Sequence, residues 1–161
     1  YLSGFSAEMI IGSECVMTFD ITYAIPASDV SAAVQAVNQR ATSYASSVGG
    51  TDRERAVAAA KYVAALAKYG GSGGYQNTSY GCMVNGQAQC EGYTHALMVI
   101  LKRMGIDCAR VRGMISAGDH AWVKAYVDGA WYYIDPTYIS VTGDESFALK
   151  TDEQLRATHS W

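Results

Sequence analysis

Three residues of this sequence could together carry nucleophilic chemistry at a carbonyl carbon: Cys90, His120 and Asp135. Cys90 follows a glycine-containing stretch and opens an apolar-periodic run, which puts it at a helix N-terminus. There the unpaired backbone N–H groups and the helix macrodipole favour negative charge, so a thiolate forms more easily. An imidazole can take the thiol proton and later return it to a leaving amine, while a carboxylate fixes the ring's tautomer and favours imidazolium. Position by itself leaves a buried structural cysteine as an equal alternative.

Whether His120 and Asp135 can meet depends on one turn. Asp128-Gly129 between two apolar-patterned runs is a strong hairpin signal. With those two as the centre of a type I′ turn, Val127 faces Ala130, and the same register sets Trp122 opposite Asp135. His120 then lies two residues from Trp122 on the same face. Diagonal neighbours on one face are about 7–8 Å apart, within reach of an imidazole and a carboxylate. A three-residue loop would shift the parity and send the two side chains to opposite faces. The plain alternatives are a surface histidine in the hairpin and a turn-forming aspartate before Pro136.

The elements that must hold these groups are legible from periodicity. Apolar residues at alternate positions over 15–25, from Cys15 through Met17, Phe19, Ile21 and Tyr23, predict a half-buried strand that Pro26 ends. Ser28 is placed to cap a helix carrying Val30, Val34, Val37, Ala41, Tyr44 and Val48 up to Gly49-Gly50. Thr51 with Glu54 fits a capping box for a second helix, whose face of Ala56, Ala59, Ala60, Val63, Leu66 and Ala67 stops before Gly70.

Residues 70–89 lose all periodicity and read as a long loop, a length that is usually functional or disordered. A third helix is predicted over 90–104, with Tyr93, Leu97, Ile100, Leu101 and Met104 on one side and Gly105 at the left-handed stop. Strands at 107–115, 120–127 and 130–134 follow, then a short last helix from the Thr151/Gln154 capping-box spacing. Helices first and an antiparallel meander afterwards give an α+β fold class. The 161 residues read as one domain, residues 1–50 leading into a motif-bearing core over 51–161.

Composition removes several classes of function. Apolar residues make up 50% of the chain and charged residues 17%, enough apolar material to fold. Twelve Lys+Arg against fifteen Asp+Glu supply no positive excess for a phosphate backbone, so nucleic acid is not an expected partner. No apolar run reaches the roughly 18 residues of a bilayer-spanning helix, and no membrane insertion is expected. The chain starts at Tyr1 with no visible targeting peptide, as expected of an excised domain. Cys15, Cys82, Cys90 and Cys108 lack paired zinc-site spacing, so neither metal nor cofactor is expected; disulfide pairing among them is open.

The motifs reach a known family when taken in order. Gly86-Gln87-Ala88-Gln89-Cys90-Glu91-Gly92-Tyr93, Leu101-Lys102-Arg103-Met104-Gly105-Ile106, His120-Ala121-Trp122-Val123 and Trp131-Tyr132-Tyr133-Ile134-Asp135-Pro136-Thr137 together resemble the bacterial transglutaminase-like superfamily. The resemblance runs from about Thr51 to the C-terminus. It implies a papain-like α+β core, with the cysteine opening a central helix packed on an antiparallel sheet. It also places the family's catalytic Cys, His and Asp on Cys90, His120 and Asp135.

The reaction implied is attack on an amide of a peptide or protein through a Cys90 thioester. Water resolving it makes a cysteine-protease-like peptidase or amidase, and a lysine amine makes a crosslinking transglutaminase. An amidase acting on asparagine-linked sugar would use the same triad, and a non-catalytic binding or adhesion module is the alternative class. The Cys90 backbone N–H is one oxyanion donor, and Tyr80 and Gln87 are candidates for a second. Tyr75, in the long loop, and Trp122, beside His120, are candidates for a substrate groove. His95 lies about 140° round the helix from Cys90 at ~3.6 residues per turn and, like His159, reads as structural or surface. A bacterial cell-surface or secreted setting is expected from the family, a cytoplasmic one being the alternative; oligomeric state is not legible.

Overall fold

A computed structural model describes residues 2–11, 15–23 and 25–161, with side-chain surroundings given at 6–9, 16–19 and 25–161. The chain opens with an antiparallel hairpin of β1 (Leu2–Ile11) and β2 (Cys15–Tyr23). The expected strand at 15–25 therefore exists, but its half-buried character does not hold at the described positions. Val16, Met17 and Phe19 are all exposed, because the hairpin pairs with itself and not with the main sheet. The partner strand β1 has no counterpart among the expectations.

Helix α1 (Ala27–Ser47) buries Ala33, Val37 and Ala41. Ser28 does not cap it. Pro26 holds the N-cap position, with its fixed φ of -53°, and the Ser28 hydroxyl turns instead to Asp29. Helix α2 (Asp52–Leu66) starts on the expected capping box: the Glu54 N–H donates to Thr51 Oγ1, and the Thr51 N–H donates to Glu54 Oε2 at 2.8 Å. Its buried stripe of Ala56, Ala59, Ala60, Val63 and Ala64 is small-sided, which suits close packing against a neighbouring helix.

The segment expected to be a long loop carries regular structure. Short strands β3 (Lys68–Tyr69) and β4 (Gln87–Ala88) pair in parallel, and a π-helical turn spans Gly81–Asn85. Thr78 anchors that turn by accepting the Gly81 N–H at its hydroxyl, 3.1 Å. The segment then folds back, and the Gln89 N–H donates to the Gln76 carbonyl at 2.8 Å. Polar composition hid this, because the ordering comes from backbone hydrogen bonds that leave no apolar periodicity.

Helix α3 (Cys90–Arg103) is central. It packs against β5 (Cys108–Ile115) and β6 (Gly118–Val127) on one side and against α1, α2 and a later helix, α4 (Pro136–Thr142), elsewhere. Tyr93, Ala96, Leu97, Ile100 and Leu101 are fully buried along it. It ends where Gly105 takes a positive φ of 75°. With β7 (Ala130–Ile134), strands β5-β6-β7 form an antiparallel sheet in that order. The chain finishes with a 3-10 turn (Glu145–Ala148), helix α5 (Asp152–Leu155) on its expected capping box, and a tail that bridges back to β5 through Ser160 and Met114. A central helix on an antiparallel sheet is the α+β core expected from the resemblance.

Candidate active site

The turn between β6 and β7 decides which side chains meet. Asp128 and Gly129 both take positive φ, 52° and 82°, as a type I′ turn requires. Val127 faces Ala130 and Val123 faces Ile134, so Asp135 follows the last paired residue. Pro136 occupies the first turn of α4 and Asp135 is its N-cap, Oδ1 accepting the Tyr138 N–H at 3.0 Å. The other oxygen, Oδ2, lies 2.7 Å from His120 Nε2. The ladder thus delivers the imidazole, and the helix cap aims the carboxylate.

Burial sharpens the pair. Asp135 is fully buried and His120 nearly so. Burial alone would raise the Asp135 carboxyl, but hydrogen bonds from His120 and His159 and the Tyr138 N–H hold it below the usual carboxylate range. Burial would likewise lower His120; the Asp135 hydrogen bond and the neighbouring Cys90 side chain outweigh it and raise the ring to about 9. With Nε2 engaged by Asp135, Nδ1 is the nitrogen left for the sulfur.

Cys90, at the first turn of α3, and His120 line one cleft of about 550 Å³, together with Asn77, Gln89, Arg112 and Asp119. The long segment reaches this cleft because Gly92 lets it: a Cβ there would strike the Gln76 carbonyl oxygen. Glu91, next to the thiol, is tied to Arg112 at 2.6 Å and Arg110 at 3.2 Å. Burial pushes Glu91 up, and the two guanidiniums with His95 more than reverse it. Cys82, by contrast, is wholly buried and pushed up to about 12 by desolvation, an inert packing thiol. Cys82, Cys90 and Cys108 are free thiols, and the side chain of Cys15 lies outside the described residues.

Other sequence-selected residues fall elsewhere. Trp122 is fully buried and lines no groove; it packs between His120 (ring centroids 5.9 Å), His159 (4.8 Å) and Trp161 (5.4 Å). Tyr75 and Tyr80 turn to one another, centroids 5.2 Å apart, and neither lines the cleft. Gln87 is exposed on β4, while Gln89, one step before Cys90, does line the cleft. His95 pairs with Glu91 at 3.5 Å, one helical turn on, outside the cleft lining.

Of the two readings of His159, structural or surface, only the surface one fails. This histidine is buried, and its Nε2 lies 3.0 Å from Asp135 Oδ2. No spacing rule marks a histidine from the far end of the chain, so only its company of Thr158 and Trp161 near the terminus could have signalled a docked tail. His120, Asp135 and His159 have ligand atoms within 4.8 Å of one another. Both Nε2 atoms already share hydrogen bonds with the carboxylate, so a cation would have to displace two of them.

The model of the transglutaminase-like superfamily matches residues 35–136, from within α1 to the first residue of α4. The chain belongs to the transglutaminase-like superfamily. The match starts upstream of Thr51, where the sequence resemblance began, which fits α1 packing on α3 in the same core. Two solved structures share this superfamily fold. One, described as a TGase, is 16% identical over 88% of this chain and 47% of its own, with a TM-score of 0.60. The other, a candidate cysteine protease from Cytophaga hutchinsonii, is 12% identical over 85% of this chain and 66% of its own, with a TM-score of 0.53. The chain thus spans about half of the first and about two thirds of the second. No curated protein matches its sequence.

Proposed function

We propose that this chain is a thiol-dependent enzyme that cleaves an amide bond of a peptide or protein, with Cys90, His120 and Asp135 as its catalytic triad. The observation that carries this reading is the 2.7 Å contact between His120 and a buried Asp135 on the wall of the cleft that Cys90 also lines. His120 already holds the Cys90 proton as imidazolium, and the thiolate sulfur bonds to the carbonyl carbon. The oxyanion so formed meets the backbone N–H groups at the start of α3, and Gln89 and Asn77 are the polar side chains at hand for a further hydrogen bond. Collapse breaks the C–N bond, the amine leaves with the proton from His120, and a thioester remains on Cys90.

Exposed polar groups rim the cleft, Asn77, Arg112 and Asp119 among them, and leave water a path to that thioester. This favours hydrolysis over transfer to a lysine amine. We read residues 1–161 as one domain and place it at a bacterial cell surface or in a secreted protein. Among the described residues no helix is long and apolar enough to cross a membrane.

Iodoacetamide alkylation of Cys90 at pH 6 to 7 tests the triad. His120→Ala is expected to slow it at least about tenfold, because the imidazolium that supports the thiolate is gone. Equal rates in the two proteins would overturn the enzyme reading. Incubating wild type with a fluorescent amine and a glutamine-containing protein separates the outcomes: peptide cleavage supports hydrolysis, and amine incorporation without cleavage replaces it with crosslinking.

A further inference from the structure

The proposed triad uses one face of the Asp135 carboxylate and leaves a second histidine on it unexplained. Asp135 Oδ2 faces two imidazole nitrogens, His120 Nε2 at 2.7 Å and His159 Nε2 at 3.0 Å. Oδ1 is taken by the Tyr138 N–H. The carboxylate can only accept, so each Nε2 donates. On the far side of the His159 ring, Thr158 Oγ1 lies 2.7 Å from Nδ1 and holds that edge, which keeps Nε2 turned to the carboxylate.

The tail is held in this position. Met114 and Ser160 exchange backbone hydrogen bonds of 2.9 and 3.0 Å, which staples the tail to β5. The staple lies beside Gly113, which pairs with His120 across the β5-β6 ladder. A Cβ at Gly113 would strike the Ser160 carbonyl oxygen and come within 2.7 Å of Trp122. Trp122, Tyr138 and Phe147 then box the His159 ring, at centroid distances of 4.8, 5.5 and 5.9 Å. A ring so enclosed keeps one rotamer.

We infer that His159 is a positioning residue for the reaction: by donating its Nε2 hydrogen to Asp135 it fixes the carboxylate and takes up part of the negative charge that would otherwise fall on His120 alone. This rests on the catalytic reading of Cys90, His120 and Asp135 given above. Two donors on one oxygen compete. Withdrawing one leaves the carboxylate more basic, strengthens its hold on the other, and makes the His120 imidazolium harder to deprotonate. A general base held too firmly in its protonated form takes a proton readily but returns one poorly to the leaving amine, so His159 moderates the pair.

The groups that face this pair come from several elements: Cys90 from α3, Tyr138 from α4, Tyr69 from β3, and Arg112 and Asp119 at the cleft mouth. Each of these residues is retained when His159 is substituted. Its own contribution can therefore be read directly.

The test is the NMR titration of the His120 ring in the whole chain, alongside the pH dependence of Cys90 alkylation. His159→Phe keeps an aromatic ring in the box and removes the donor; His159→Gln keeps a donor. The His120 midpoint is expected to rise by about half a unit or more in His159→Phe and to return toward wild type in His159→Gln. An unchanged or lowered midpoint in a folded His159→Phe protein overturns the inference, and His159→Leu gives the same reading if the phenylalanine ring does not pack. If wild-type alkylation is indifferent to His120→Ala, the catalytic reading itself has failed. If alkylation depends on His120 and the midpoint does not respond to His159, only this inference falls.

Discussion

Asp135 does two jobs with two oxygens, and substitutions can separate them. Oδ1 caps α4 through the Tyr138 N–H, and Oδ2 meets the imidazoles. Asparagine keeps a capping oxygen while removing the charge. Asp135→Asn is therefore expected to reduce Cys90 alkylation at neutral pH by at least about tenfold, with α4 retained in circular dichroism. Asp135→Ala should lose the same reactivity and about 1 kcal/mol more stability, read from urea unfolding, because the cap goes as well. Trp122 shows the opposite lesson. Beside a histidine in sequence it looks like a groove residue, but the tail covers it, and its large apolar surface makes it core.

Among the elements, the hairpin β6-β7 and the C-terminal tail play unequal parts in the sequence and equal parts in the site. The hairpin is written locally, since Asp128-Gly129 set the turn and the turn sets the register that brings His120 to Asp135. The tail is not. Its docking depends on the missing side chain at Gly113, a residue that in sequence is one more glycine in a strand. Gly113→Ala is expected to lift Ser160 from β5 and speed hydrogen exchange at the Met114 and Ser160 amides by tenfold or more, while the β6-β7 amides stay protected. Equal protection of all these amides would show that the strand accommodates the methyl. The segment before Cys90 follows the same rule as the tail, being ordered by its own backbone hydrogen bonds and by Gly92.

For the whole molecule, the buried pair ties stability to pH with a definite sign. His120 titrates near 6.5 when unfolded and is raised to about 9 in the fold, so its contribution is complete below 6.5 and lost as pH climbs through 9. That is worth roughly 3 kcal/mol at the linkage rate of about 1.4 per unit. Asp135 is lowered from 3.8, so its contribution is present above that value and disappears as acid protonates it. The urea midpoint should therefore be greatest between about pH 4 and 6.5 and decline toward pH 9. In His120→Phe the alkaline decline should flatten; a decline as steep as in wild type would place its source elsewhere.

What the sequence determined by itself was whatever is encoded within a few residues: the helix periods, the capping boxes at Thr51 and Thr151, the left-handed stop at Gly105, and the two-residue turn that matches His120 to Asp135. These follow from local sterics and hydrogen bonding, and they extend to the α+β class and to the order of the motif residues. Only the tertiary structure decided that the polar segment before Cys90 is built, that β1-β2 is an exposed hairpin, that Trp122 is covered, and that His159 closes on Asp135. The covering of Trp122 and the docking of His159 depend on surfaces that meet across long stretches of chain. Close approach at a bare backbone position such as Gly113 or Gly92 leaves no period in the sequence to read.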